Sequence, residues 1–431
     1  MKTIKRTILT TTIAMALQLG AVSLNAGTLS DLLVEKGLIT ASEAASVSSG
    51  DETSLVNLLV SKGVISNAEA TALKTVAPAP VPAPQAEKSF VVKAKDKAVK
   101  SIQISGRIQG QLDALSTSYD NASDPNSETN LFLRRVYLGV SASFADNLKG
   151  VFNANFANDG DGVGEIEKAI IEYGFSDNHT LAVGYQKTPI GYEETTSSSK
   201  IKAVERSVAT RYFTEQLDLG ARHNGIYVEG EYDSGLYFTV AATDPEQGDV
   251  SSSSATDKIA LWGQVGWEGD VGAGSLDIGA AVAHIPETLS SGDTDMIWNA
   301  YANYKAGNFA IMAELLGAKL EGYGDAKPLG FTLQPTFKIN SDFELVARYS
   351  SLDADGGIGA DISSTSRRAP ENGGAGYDDV TAYYIGGNWY IRGNTLKLSA
   401  GYEWANYDDN LSGSQGDADV DGFRTRLQIL F

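Results

Sequence analysis

Through most of this chain hydrophobic and polar residues alternate one for one, and the pattern is cleanest at its C-terminal end. In the last nine residues Phe423, Thr425, Leu427, Ile429 and Phe431 share one side of an extended strand, and Arg424, Arg426 and Gln428 share the other. Farther back, Ile102, Ile104, Gly106, Ile108, Gly110, Leu112 and Ala114 alternate with Gln103, Ser105, Arg107, Gln109, Gln111 and Asp113. A face so polar cannot line a small apolar core. Both segments suit a strand with lipid on one side and an aqueous lumen on the other, since only a closed sheet leaves no backbone N–H unpaired in hydrocarbon. An ordinary sandwich strand would alternate in the same way, so the remaining segments decide.

Fifteen further segments alternate, at 131–144, 148–157, 165–175, 179–187, 219–230, 235–242, 257–267, 274–284, 295–304, 308–318, 328–338, 342–350, 379–391, 394–405 and 422–431. With 102–114 they make sixteen. The least regular is 219–230, where Arg222 and Asn224 share a phase with Ile226 and Val228. Connections at 145–147, 176–178, 305–307 and 392–393 are tight, whereas those at 115–130, 188–218, 243–256, 351–378 and 406–421 are long. The chain is therefore expected to be all-β: a 16-stranded antiparallel transmembrane β-barrel over 101–431, with tight turns in the periplasm, loops outside and a water-filled lumen. A propeller predicts no such alternation of connection lengths.

The N-terminal quarter is of another kind. Lys2, Lys5 and Arg6 precede an uncharged run from Thr7 to Val22, and Ala26 offers a cleavage point, so 1–26 reads as a secretory signal peptide. Over 27–76 a unit repeats with a spacing of 26 residues: Leu32–Thr40 is echoed by Leu58–Ser66. Gly37 and Gly63 suit helix C-termini, and Thr40 with Glu43, like Ser66 with Glu69, suits a capping box. This predicts a small helical periplasmic module, either an association element for self-assembly or cell-wall contact, or an autonomous bundle with no partner. Residues 77–100 are a linker that opens with the proline-rich, extended Ala77–Pro84.

Composition narrows the chemistry. The 45 Gly, 19 Tyr, 14 Phe and 5 Trp fit turns and aromatic girdles. Zero Cys and three His leave no basis for a thiolate or histidine-rich metal centre, and no cofactor is expected. Asp417–Gly422 begins like a calcium loop, but Gln428 stands where the closing Glu belongs. A net charge of −20 argues against nucleic acid as a partner. Much of that charge lies in the outer connections other than 188–218 and 319–327, where 20 Asp or Glu face only Arg367 and Arg368.

The stretch from Gly184 through Tyr192, Glu193 and Glu194, Ser197–Lys200 and Val204–Ser207 resembles the hallmark of the phosphate-selective porin O and P family. Leu133–Val140 and Glu344–Ser350 look like two further segments of that family, and the terminal Phe431 resembles the closing residue of bacterial outer-membrane proteins. The resemblance covers roughly 100–431. It implies a barrel in the outer membrane of a Gram-negative-type bacterium, a homotrimer, and a third loop, here 188–218, that folds inward as the constriction.

In that loop the candidate anion-contacting groups are Lys200, Lys202, Arg206 and Arg211, with Lys187 at its base. Arg206 has a second reading, as a partner of Glu193, Glu194 or Glu205 that pins the loop to the wall. Strand phase places Arg107, Arg135, Lys149, Lys168, Lys258, Lys338, Arg348, Lys397, Arg424 and Arg426 on the lumen, against Asp113, Glu172, Glu229, Asp277, Glu314, Glu344 and Glu403. No contiguous arginine ladder or lysine cluster of the kind used by phosphate-specific members is present. The expected function is passive diffusion of small hydrophilic solutes and ions, with anions or phosphate preferred. Alternatives are a nonselective or cation-preferring pore governed by the acidic mouth, and an outer membrane-to-cell wall tether through 28–76. No enzyme is expected, as His223 and His284 lie in no nucleophile motif.

Overall fold

The computed structural model describes residues 99–431, except 123–124, 145–146, 158–163, 221, 246–257, 287–293, 372–375 and 412–414, together with Thr40, 60–62 and 90–92. The signal peptide, nearly all of the helical module and most of the linker lie outside the described residues.

Every one of the sixteen alternating segments is a strand. In chain order these are β1 (Ser101–Tyr119), β2 (Asn126–Ser143), β3 (Leu148–Asn155), β4 (Glu165–Ser176), β5 (His179–Lys187) and β6 (Arg222–Glu231). There follow β7 (Leu236–Thr243), β8 (Ala260–Val271), β9 (Gly274–Pro286), β10 (Thr294–Ala306) and β11 (Phe309–Leu320). The last five are β12 (Leu329–Lys338), β13 (Phe343–Asp353), β14 (Gly376–Asn394), β15 (Leu396–Asn410) and β16 (Ala418–Leu430). Each pairs antiparallel with its sequence neighbour, and β16 closes on β1 from Ala418↔Tyr119 to Leu430↔Arg107. Tight turns gather at one end and loops at the other, the asymmetry of an outer-membrane barrel.

Three expectations are corrected. The first two strands run well past the expected boundaries, so the connection read as 115–130 is only the hairpin at 120–125. Lys258 precedes β8 and is exposed, not part of the wall. Within the linker, Phe90–Val92 forms a short strand against Ile102–Ile104. It covers the part of β1 that β16 is too short to reach, which removes an open edge.

Closure ends on a glycine. Phe431 N–H donates to Gly106 O at 3.0 Å, and Gly106 N–H donates to Phe431 O at 2.7 Å. A Cβ at residue 106 would sit 2.2 Å from the Phe431 ring, so the terminal aromatic packs over this glycine and would have to shift for any larger residue. The alternation of the last strand is preserved in space: Phe423, Leu427, Ile429 and Phe431 are exposed outward, while Arg424, Arg426 and Gln428 are buried inside.

Candidate functional site

Loop 188–221 enters the lumen through two glycines that adopt backbone conformations costly for other residues. Gly191 has φ 80° and Gly220 φ 144°, and a Cβ on Gly220 would press Ile190 Cγ2 at 3.1 Å. Between them lie α1 (Tyr192–Thr195) and α2 (Val208–Arg211), the latter running into a π-turn over Tyr212–Gln216. Ser207 caps α2 by accepting from Thr210 N–H at 3.2 Å. The α1 end is held from the wall, where Glu314 of β11 accepts from Tyr192 N–H at 2.5 Å and from Glu193 N–H at 3.1 Å. Tyr212, Phe213, Leu217 and Leu219 are fully buried inside the barrel, each burial worth about 1.5–3 kcal/mol.

A second loop also folds inward, contrary to the expectation that 351–378 is an outer acidic connection. Its α3 (Ile362–Thr365) and flanking residues pack on the first loop: Arg211 Nε donates to Ser364 O at 2.7 Å, and Gln216 Nε2 to Gly359 O at 2.8 Å. Arg367, expected at the mouth, pairs with Glu215 at 2.7 Å. The physical reason is the apolar surface of the π-turn, which needs a cover on its outer side.

Ion pairs fix the first loop to the wall. Glu205 is the hub, 2.9 Å from Arg134, 2.6 Å from Arg426 and 3.9 Å from Arg211, and it accepts from Gln111 Nε2 at 3.1 Å. Burial pushes its carboxyl up, but Arg134, Arg426, Arg135 and Arg211 outweigh that and hold it well below the usual carboxylate range. Arg348 donates to Glu205 O at 2.7 Å and meets Glu193 at 3.4 Å. Arg424, 0% exposed, meets Asp113 at 2.9 Å and Glu403 at 3.3 Å and donates to the Arg367 carbonyl at 3.0 Å. Lys202 pairs with Glu344 at 2.9 Å, and Lys397 donates to Ser199 O at 2.9 Å. Arg206 bonds the Glu193, Glu194 and Thr196 carbonyls at 3.1, 3.1 and 3.3 Å and the Glu194 carboxylate at 3.1 Å; Lys187 also pairs with Glu194.

Beside the loop a cavity of about 600 Å³ remains open along the β1–β6 wall. Arg107, Arg134, Arg135, Lys168, Lys187, Arg206, Arg222 and Arg367 line it, against Glu165, Glu167, Glu194 and Glu215. Eight bases face four acids in the lining, and Glu205 beside Arg134 and Glu172 beside Lys168 reduce the surplus to two positive charges. Arg135 is 4% exposed; its Nη1 donates to Gln109 Oε1 at 3.0 Å, and no carboxylate is within ion-pair distance of it among the described residues. The arginine set missing as a contiguous motif is thus assembled from three strands and two loops.

Two β-bulges build it. Register shifts opposite Gln109/Gly110, where β2 carries the extra residue Arg134, and again opposite Asn153/Ala154, where β4 carries the extra Glu167. A bulge turns two successive side chains to one side, so Arg134 joins Arg135 and Glu167 joins Lys168 in lining the cavity. The first was visible in the sequence: the outward phase passes from Leu131 and Leu133 to Val136 and Leu138 across the two arginines. Arg222 sits in the strand of irregular phase, and Arg367 arrives on a loop whose inward fold no alternation signals.

Of the sequence candidates, Arg107, Arg135, Lys187 and Arg206 line the cavity, whereas Arg211, Arg348, Arg424 and Arg426 are tied into the packing of the two loops. Lys200 and Lys202 lie on the opposite flank of the first loop. The family description "Phosphate-selective porin O and P" matches residues 102–283 and 286–431. This chain belongs to that family. Porin O of Pseudomonas aeruginosa is 22% identical, covering 77% of this chain and 88% of that protein. Solved structures share the barrel. The anion-selective porin from Comamonas acidovorans has a TM-score of 0.54 at 14% identity over 77% of this chain and 99% of that one; Salmonella typhi OmpF in complex with daunomycin has 0.53 at 12% over 79% and 100%. The protein is an outer-membrane porin.

Proposed function

We propose that this porin passes small anions and other hydrophilic solutes down the cavity between the first inward loop and the β1–β6 wall, with no bond made or broken. The observation that carries this is the excess of bases over acids around about 600 Å³, including Arg135, which has no carboxylate within ion-pair distance among the described residues. Fixed cations at a narrow passage lower the barrier for anions, and guanidinium groups can offer paired hydrogen bonds to phosphate oxygens. The name of the anion-selective structural relative is compatible with it. The test is the reversal potential of the purified protein in a planar bilayer under a KCl gradient, followed by phosphate titration. Anion selectivity with block by phosphate is the expected result. Cation selectivity would transfer control to the acidic loop end, where Asp353, Asp378, Asp408, Asp417 and Asp419 gather around the mouth.

We also propose that the protein is a homotrimer in outer-membrane lipid, to be read from its mass in detergent. Residues 27–76 are proposed as a periplasmic association module, with the cell wall as its partner; deleting them should weaken envelope attachment and leave conductance unchanged.

A further inference from the structure

The first loop has space on both flanks. On the side away from the arginines, a pocket of about 100 Å³ lies between the loop and the wall strands β10–β12. Tyr192, Glu193, Lys200 and Lys202 line it from the loop, with Asn303, Gln334 and Thr336 among the wall residues. Most of the loop's charges are consumed by the packing described above, but two groups here are not. Gln334 is 6% exposed, and its Oε1 has no hydrogen-bond partner among the described residues. An acceptor left unpaired in burial costs about 1–3 kcal/mol, so Gln334 Oε1 is available to a donor that enters the pocket from the lumen. The Lys200 side chain is exposed and has no carboxylate partner among the described residues. Glu193 keeps its carboxylate on Ser207 N–H at 2.8 Å and on Arg348, and adds negative potential to the pocket.

We infer that this pocket is a binding site for a small zwitterionic α-amino acid, separate from the anion path. The ligand carboxylate meets the Lys200 ammonium, and the ligand ammonium donates to Gln334 Oε1 under the field of Glu193. Size restricts the choice. A cavity of about 100 Å³ seats a group the size of a small amino acid backbone such as that of glycine or alanine. An inorganic anion satisfies Lys200 but leaves Gln334 Oε1 unpaired, and a simple amine does the reverse.

Saturation-transfer NMR with L-alanine on the detergent-solubilised full-length porin tests this, with heat-dependent gel mobility confirming a folded barrel. Alanine should give a saturable signal in the millimolar range, and lactate and ethylamine, each lacking one charged group, signals at least tenfold weaker. Gln334→Leu and Lys200→Ala should each weaken the alanine signal at least tenfold, whereas Arg135→Ala should leave it in place. Lys200 is on the surface, so its variant remains informative if Gln334→Leu fails to fold. Lactate binding as well as alanine would overturn the zwitterion assignment. A signal untouched by both pocket variants, a signal lost in Arg135→Ala, or none in the wild type would overturn the site.

Discussion

The two halves of this lumen both hold arginines paired with carboxylates, but only one of them leaves its arginines bordering open space. Against the β11–β16 wall, Arg348, Arg424 and Arg426 are buried, and each meets a carboxylate that is itself hydrogen-bonded. Along the β1–β6 wall, Arg134, Arg206, Arg222 and Arg367 are also paired, yet they border open space together with Arg135, which has no carboxylate within ion-pair distance among the described residues. Counting cations per face therefore says little about where an anion travels. What matters is how many carboxylates the fold brings to each of them, because a paired guanidinium has spent its field and its fork of donors on structure.

The sharpest way to break the contrast is to remove the hub of the filled half. Glu205→Ala strips Arg134, Arg426 and Arg211 of their shared acid and leaves buried cations uncompensated, a loss of about 3–5 kcal/mol for such a pair. Loop release should follow, read as larger and noisier single-channel conductance and a lower melting temperature. Unchanged conductance would mean that the apolar packing of Tyr212, Phe213, Leu217 and Leu219 holds the loop by itself.

The converse test removes a charge from the open half. Arg135→Ala should lower the anion-to-cation permeability ratio about fivefold, since one unit charge about 4 Å from an ion in water-like surroundings is worth about 1 kcal/mol. Stability should change little by comparison. Arg424→Ala should do the opposite, lowering stability while keeping selectivity, because Arg424 is held by Asp113 and Glu403. Equal selectivity losses in the two variants would erase the distinction between the halves.

How much of this the sequence carries differs between wall and lumen. A strand's two-residue period writes the barrel directly into the chain, so Leu427 and Arg426 declare their sides without any tertiary information. Loop 188–218 announced itself by length. The filling of the lumen could not be read the same way. Whether Arg206 binds solute or loop carbonyls depends on residues distant in sequence, and the inward path of 354–371 rests on a cover for Tyr212 and Phe213 that no local pattern encodes. Arg134 lies between these cases: the slip in phase from Leu133 to Val136 does encode its bulge, but only a reader who allows alternation to shift within a strand would find it.

The smallest expected effect is one of pH. The Glu205 carboxyl is held well below its ordinary range by Arg134, Arg426, Arg135 and Arg211, against the upward push of burial. A carboxyl depressed in the folded state contributes stability that is fully present above its unfolded value, about 4.3, and is lost as pH falls through the lower folded value. The Glu205 hub should therefore contribute no change in single-channel conductance between pH 8 and about pH 5, with its own loop release confined to more acid solution. In Glu205→Gln, which keeps the shape and loses the charge, the noisy open state should already exist at neutral pH. A wild-type transition near pH 6 would place the controlling group elsewhere, and the hub would then be a consequence of loop docking instead of its cause.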